Sequence, residues 1–279
     1  MTTNDDDDIF DPKDDYVFKK IFGHKENIFI NFVNSVFKDK NERIVKSVTF
    51  VNTEITKDII LGKQGRLDVK ATLDDGSHIN IEVQVKPGDS FKKRSLFYWS
   101  DLYKDQLQEG KSYADLQRCV CINVVNFELF KNKDKFHTVI GGLDIDTHEW
   151  ILPEFEIHYL EVQKLKKVDY NRMNLLEKWI LFLQAPKTEV LEELAMSEPM
   201  IAEAKETLYY LSHDEKERAI YKARKKYEFD QRSEVRAAEM RAKIEQGLET
   251  ARNLKAMNIM GMEQIAKATG LTLEQVKQA

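Results

Sequence analysis

Through residues 14–37, apolar side chains recur at Val17, Phe18, Ile21, Phe22, Ile28, Phe29, Phe32, Val33 and Val36. That is helical spacing, with a break predicted around Gly23. Asp14 and Asp15 suit the first turn, where the helix dipole favours anions. The pattern becomes alternating in IVKSVTFVN (44–52), a predicted strand that leads to Glu54. RLDVKATLDDGSHINIEVQVK (66–86) reads as a β-hairpin. Helical spacing returns from Ser90 to Gln108, and Gly110 fits the C-terminal end of that helix. Residues 117–126 form an apolar run, expected to be a strand buried on both faces, and residues 154–163 give a further strand. Helix, strand, hairpin, helix, strand and strand together predict an α/β fold, a mixed sheet flanked by helices.

After Asp169 the strand signals stop. NLLEKWILFL, EVLEELAM and EAKETLYYL read as successive amphipathic helices, and residues 214–257 are highly charged and helix-favouring, with opposite-charge pairs such as Glu228 and Arg232. The expected organisation is an acidic tail over 1–13, an α/β domain over 14–168 and an all-α region over 169–279. The last of these would serve as a second domain or as a homodimerisation arm. The closing MEQIAKATGLTLEQVKQA has helix–turn–helix rhythm, with a turn at Gly270 and a cap at Thr272. Its last helix opens with Leu273, Glu274 and Gln275 and is short, which fits a packing or interaction element better than major-groove reading.

The hairpin's turn chemistry allows two registers. A two-residue Asp-Gly turn pairs Asp74 with Ser77 and mixes polar and apolar residues on both faces. A three-residue loop, with Gly76 left-handed, pairs Leu73 with Ser77. Val69 then faces Ile81 and Ala71 faces Ile79 on one apolar surface, so this register is expected to win. On the other surface Asp68 lies across from Glu82, Lys70 from Asn80, and Arg66 from Gln84. Two facing carboxylates repel unless a cation lies between them. They are either surface charges balanced by Arg66, Lys70 and Lys86, or a site for Mg²⁺, which takes hard oxygen ligands.

Bulk properties narrow the remaining classes. The chain of 279 residues is 42% hydrophobic and 33% charged, enough apolar material for a substantial core. Mean hydropathy of −0.52 and the lack of a long apolar run exclude a transmembrane helix. The start, MTTNDDDD, has neither the basic nor the apolar part of a signal peptide, so a soluble cytoplasmic protein is expected. The formal net charge of −5 argues against a broadly basic nucleic-acid binder, although Asp5 to Asp8 supply four of the negative charges. KERAIYKARKKYEF (216–229) is the most basic stretch, either a phosphate-contacting segment or a solvated helix face. Cys119 and Cys121 are two apart on a predicted buried strand, and two reduced thiols are expected there rather than a disulfide or a metal site. The six histidines show no metal-ligand spacing, and no phosphate-binding glycine loop or nucleophile elbow occurs, so no nucleotide cofactor is expected.

Asp68 followed by INIEVQ (79–84) resembles the metal-binding core of PD-(D/E)XK nucleases. The ordered set DPKDDYVFKKIFG (11–23), NTEI (52–55), RSLFYWSDLYKDQLQEGKSYADLQ (94–117), FEIHYLEVQKL (155–165) and MEQIAKATGLTLEQV (262–276) extends the likeness over most of the chain. It is closest to the Rpn family of recombination-promoting nucleases, also described as PD-(D/E)XK nuclease family transposases. The resemblance implies a restriction-endonuclease-like fold, a divalent cation such as Mg²⁺, and hydrolysis of phosphodiester bonds in DNA. It makes Asp68 and Glu82 metal ligands and gives Gln84 the position where the wider superfamily usually has lysine; Glu54, at the end of the preceding strand, is either a third metal carboxylate or a solvated loop residue. Gln84 is neutral and can orient water or phosphate without supplying charge, so Lys86 or Lys70 would have to supply it. Asp15, Tyr98, Gln106 and Tyr113 also match the family pattern, each open to a site role or to a structural one. The alternative function is a catalytically inactive DNA-binding or assembly protein that keeps the fold.

Overall fold

The computed structural model describes residues 9–38, 44–51, 68–88, 90–107, 109–166, 172–184 and 188–279. The first helix, α1 (Asp15–Phe22), is capped by Asp14, whose carboxylate accepts from the backbone N–H groups of Tyr16 and Val17. It stops where Gly23 donates its N–H to Lys19 O at 2.8 Å, and α2 (Glu26–Lys38) follows at once. The predicted break at Gly23 is therefore present. Strand β1 (Val48–Val51) is shorter than the alternation over 44–52 implies. The hairpin strands β2 (Val69–Leu73) and β3 (His78–Gln84) lead to α3 (Phe91–Lys104) and then to the wholly buried β4 (Cys119–Val125).

Helix α3 ends before Gly110. Gln106 leaves the helix and bridges to the approach of β4, donating to Gln117 O at 3.1 Å and to Cys119 Sγ at 3.0 Å and accepting from Gln117 N at 2.8 Å. The Gln106 side chain thus fixes the crossover, a structural role.

Strand β5 (His137–Leu143) is not predicted by the pattern, and β6 (Trp150–Glu161) is longer than expected. The reason lies at Gly141 and Gly142. A Cβ on Gly141 would lie 2.6 Å from Trp150, and one on Gly142 would lie 2.3 Å from Leu152. These glycines let the β5–β6 ribbon pack its own large side chains, at the cost of the alternation that announces a strand. Among the described residues the sheet has six strands in the order β1-β2-β3-β4-β6-β5. Strands β3, β4 and β6 run parallel and the other pairs antiparallel. This is the expected mixed α/β sheet.

Helices cover both faces. One face presents Val69, Ala71, Ile79, Ile81, Val120 and Ile122 to the apolar sides of α1 and α2. The other presents Cys121, Val125, Ile157 and Tyr159 to Phe91 of α3. Helices α4 (Leu175–Leu183), α5 (Thr188–Ser197) and α6 (Pro199–His213) join the first of these cores through Trp179, Leu191, Leu194, Ile201 and Leu208. The first compact unit accordingly runs to Tyr221, not to residue 168, because these helices share one core with the sheet. The 43-residue α7 (Glu215–Met257) crosses into a second unit, Lys222–Ala279. There α8 (Met262–Thr269) and α9 (Leu273–Gln278) close a small core of Ala251, Ile265, Leu271 and Val276, and Glu228 pairs with Arg232 at 3.0 Å. No described helix is long and apolar enough to cross a membrane.

Phe32 is fully buried at the centre of the larger core, against Phe18, Phe22 and Trp179. Phe32→Ala should cost about 3–5 kcal/mol in urea denaturation, the usual penalty for emptying a buried aromatic site.

Candidate active site

The hairpin adopts the three-residue loop. Leu73 N–H donates to Ser77 O and Gly76 N–H to Leu73 O, each at 2.9 Å, with Gly76 at φ +88°. Asp75 braces the turn by accepting from both the backbone N–H and the hydroxyl of Ser77. Val69 pairs with Ile81, Lys70 with Asn80 and Ala71 with Ile79. Carried one residue further, the same register sets Asp68 across from Glu82. Because side chains alternate along strands, Asp68, Lys70, Asn80, Glu82 and Gln84 share the face opposite the larger core. That face is the one covered by α3.

Burial changes the chemistry of this group. Glu82 is only 2% exposed, and Asp68 Oδ1 and Glu82 Oε1 are both shielded from water. A carboxylate in that position needs nearby positive charge or a hydrogen-bond donor. Arg94, on the inner side of α3, supplies it: its Nη2 lies 3.7 Å from Glu82 Oε1 and donates to Gln84 Oε1 at 3.1 Å. The Gln84 amide nitrogen in turn donates to Lys86 O at 2.8 Å. Burial pulls the Arg94 guanidinium below its ordinary range, while Tyr98 and Asp68 push it back up. Arg94 stays charged under that balance, and it also stacks over Phe91, 4.9 Å from the ring centre.

Lys70 lies on the carboxylate face of β2, opposite Asn80. Lys86 lies beyond the end of β3 and is exposed, so strand alternation does not extend to it. Glu54 and Arg66 lie outside the described residues. Asp15 accepts from Tyr16 N at 2.8 Å, as an acid in the first turn of a helix does. Tyr98, one turn beyond Arg94, is within electrostatic reach of it. Tyr113 is 80% exposed in a short 3₁₀ turn. Lys19, buried on α1, has its ammonium destabilised by burial and supported by Asp68.

This donor set fits a hard divalent cation. Beside the two carboxylates, Asn80 Oδ1 is buried and accepts no hydrogen bond among the described residues, which leaves an amide oxygen for use on the same face. Carboxylate and amide oxygens are the ligands that Mg²⁺ and Mn²⁺ take, with water completing the shell. The neighbouring thiols do not compete as ligands. Burial pushes Cys119 up to about 12 and, together with Cys119 and Asp68, pushes Cys121 higher still, so both remain protonated.

With the fold and this geometry established, comparison with known families gives a direct result. The profile of the PD-(D/E)XK nuclease family transposases matches residues 12–238, and the chain belongs to that family. The hairpin, α3 and the whole of the mixed sheet lie within the matched segment. No curated protein and no solved structure matches the chain.

Sequence reasoning missed Arg94 and Asn80 as members of the site. The signal for Arg94 was present. On α3 the inward stripe runs Phe91, Arg94, Ser95 and Tyr98, and a cation on the stripe that faces a sheet needs a buried partner. Also missed is a buried chain on the opposite face of the sheet. There Arg118 pairs with Glu156, Glu156 with His158, and His158 Nδ1 lies 2.9 Å from His137 Nε2. The two histidines are 21 positions apart, a separation that no local spacing rule detects.

Both cysteines are free and buried. Iodoacetamide at about pH 8 should leave them unmodified in the folded protein, because the thiolate is the reactive form. Mass spectrometry should show both adducts only after denaturation.

Proposed function

We propose that this protein is a divalent-metal-dependent DNA endonuclease that hydrolyses phosphodiester bonds during recombination or transposition. The observation that carries the reading is the hairpin register, Val69 with Ile81 and Lys70 with Asn80, which carried one residue further sets Asp68 across from the buried Glu82 on the face covered by α3. Asp68 and Glu82 would hold Mg²⁺, with Glu54 as a third ligand and Asn80 within the same donor set. When bound, the cation lowers the pKa of a coordinated water and offsets charge on the phosphate. Hydrolysis adds water across a phosphorus–oxygen bond: the water oxygen joins phosphorus, the leaving oxygen takes up a proton, and no oxidant or reductant is needed. Gln84 orients groups in the site through an amide that is already held at both ends, and Lys70 and Lys86 are available to approach the DNA backbone.

A second reading has one specific observation behind it. Arg94 places a cation 3.7 Å from Glu82, where it offsets carboxylate charge without a metal, as a catalytically inactive DNA-binding or assembly protein could require. The net charge of −5 adds to this reading. Two further parts of the proposal concern setting. Free, buried cysteines suit a reducing cytoplasm. Exposed Phe229, Val235 and Met240 on α7 support homodimerisation through the C-terminal helices.

Supercoiled plasmid separates the two functions. With Mg²⁺, the wild type should nick it, and EDTA or Asp68→Ala should lower the rate by at least about 100-fold. Equal nicking by the wild type and Asp68→Ala would remove the proposed site. DNA binding by both proteins without any nicking would favour the inactive reading. Multi-angle light scattering should give twice the 32.7 kDa chain mass if the α7 helices dimerise.

A further inference from the structure

The proposed hydrolysis needs a positive charge beside the phosphate that carries the developing negative charge. Gln84, on the strand that carries Glu82, cannot provide one. Lys86 lies past the end of that strand and Lys70 shares the carboxylate face opposite Asn80, whereas Arg94, from the helix above, reaches both Glu82, at 3.7 Å, and Gln84, at 3.1 Å.

We propose that Arg94 is the cation of this site, in two capacities, with Gln84 as its anchor. Before a metal arrives, its guanidinium offsets the facing carboxylates of Asp68 and Glu82. During hydrolysis, the same group faces the phosphate. The inference rests on the endonuclease reading.

Three observations support it. First, residues 84 and 94 are chemically matched. Gln84 offers an acceptor oxygen to the guanidinium, 3.1 Å from Nη2, and its amide nitrogen is held by Lys86 O. A lysine at 84 has donors only and would set a second cation against Arg94, so the amide there and the arginine on α3 form one arrangement. Second, Arg94 is preorganised. It stands in the first turns of an ordered helix, stacked over Phe91, with one guanidinium nitrogen spanning Glu82 and Gln84. A planar guanidinium with several donors recognises phosphate oxygens well and keeps its charge when partly buried. Third, Asp68 and Glu82 both act on Arg94, one through the field it exerts and the other at 3.7 Å. Any cation binding Glu82 must therefore share it with Arg94.

The consequence is a pair of opposite effects that a purely structural arginine would not produce. Removing the charge should strengthen metal binding while weakening catalysis. In Mn²⁺ titration calorimetry without DNA, Arg94→Gln should bind several-fold more tightly than the wild type, because the competing cation is gone. In the plasmid assay it should nick about 100-fold more slowly, the usual cost of losing one electrostatic stabiliser of the transition state. Arg94→Lys, which keeps the charge, should bind Mn²⁺ much like the wild type. Placing the charge back on β3 in the double variant Gln84→Lys/Arg94→Gln should recover part of the lost rate. Circular dichroism establishes that each variant is folded.

A folded Arg94→Gln that binds Mn²⁺ no more tightly and nicks at the wild-type rate would overturn the assignment. That failure is separable from failure of the endonuclease reading. If Asp68→Ala is inactive while Arg94→Gln matches the wild type, only the role of Arg94 falls. If wild type and Asp68→Ala nick equally, the site itself falls.

Discussion

Like charges facing each other across two β-strands, one of them buried and the other half-buried, must be offset, and the candidate site is organised around that requirement. The Asp68–Glu82 pair arises from the pleat: once Val69 and Ile81 are committed to the larger core, the next residues point to the other face together. Gly76 makes this outcome possible by taking the left-handed turn that the three-residue loop needs. Apolar burial on one face thus sets both carboxylates on the other. The repulsion is offset within the chain by Arg94 beside Glu82 and by Lys19, whose charge Asp68 supports, and, on the reading proposed above, by a divalent ion as well.

The layers around the hairpin cover the pair. Parallel pairing of β3 with β4 requires a crossover, and α3 is that crossover. It lies on the carboxylate face with Phe91, Arg94 and Ser95 directed inward, and Ser95 hydrogen-bonds to Tyr159 on β6. The helix therefore both buries Glu82 and brings the guanidinium to it. On the opposite face, α1, α2 and the later helices fill the larger core and pack against the strands that bear the hairpin carboxylates. The PD-(D/E)XK family membership and this arrangement are consistent with each other through separate lines of observation: one is a sequence profile over residues 12–238, the other a register and a set of contacts.

Much of this was legible in the sequence, for identifiable reasons. The hairpin register followed from the requirement that Val69, Ala71, Ile79 and Ile81 share a face, and only one loop length satisfies it. The helical spacing around Gly23 and the apolar run at β4 are equally direct, because burial on one side or on both leaves a periodic trace. Strand β5 left none: Gly141 and Gly142 accommodate Trp150 and Leu152, so the side chains that would show alternation belong to its neighbour. The extent of the first unit was hidden for a different reason. An amphipathic helix such as Leu175–Leu183 shows that one side is buried but not which core buries it. Arg94 lay in a quoted motif without being assigned a role, since charge on a helix is ordinarily read as solvated and only the sheet beneath shows otherwise.

The central claim is that oxygen atoms of Asp68 and Glu82 converge on one divalent ion. A crystal structure of the wild type grown with Mn²⁺, with data collected at the manganese absorption edge, tests this most directly. The account predicts an anomalous peak between the two strands, bonded to both carboxylates. A fully occupied crystal with the two residues on different faces of the sheet, or with manganese bound only elsewhere, would contradict it.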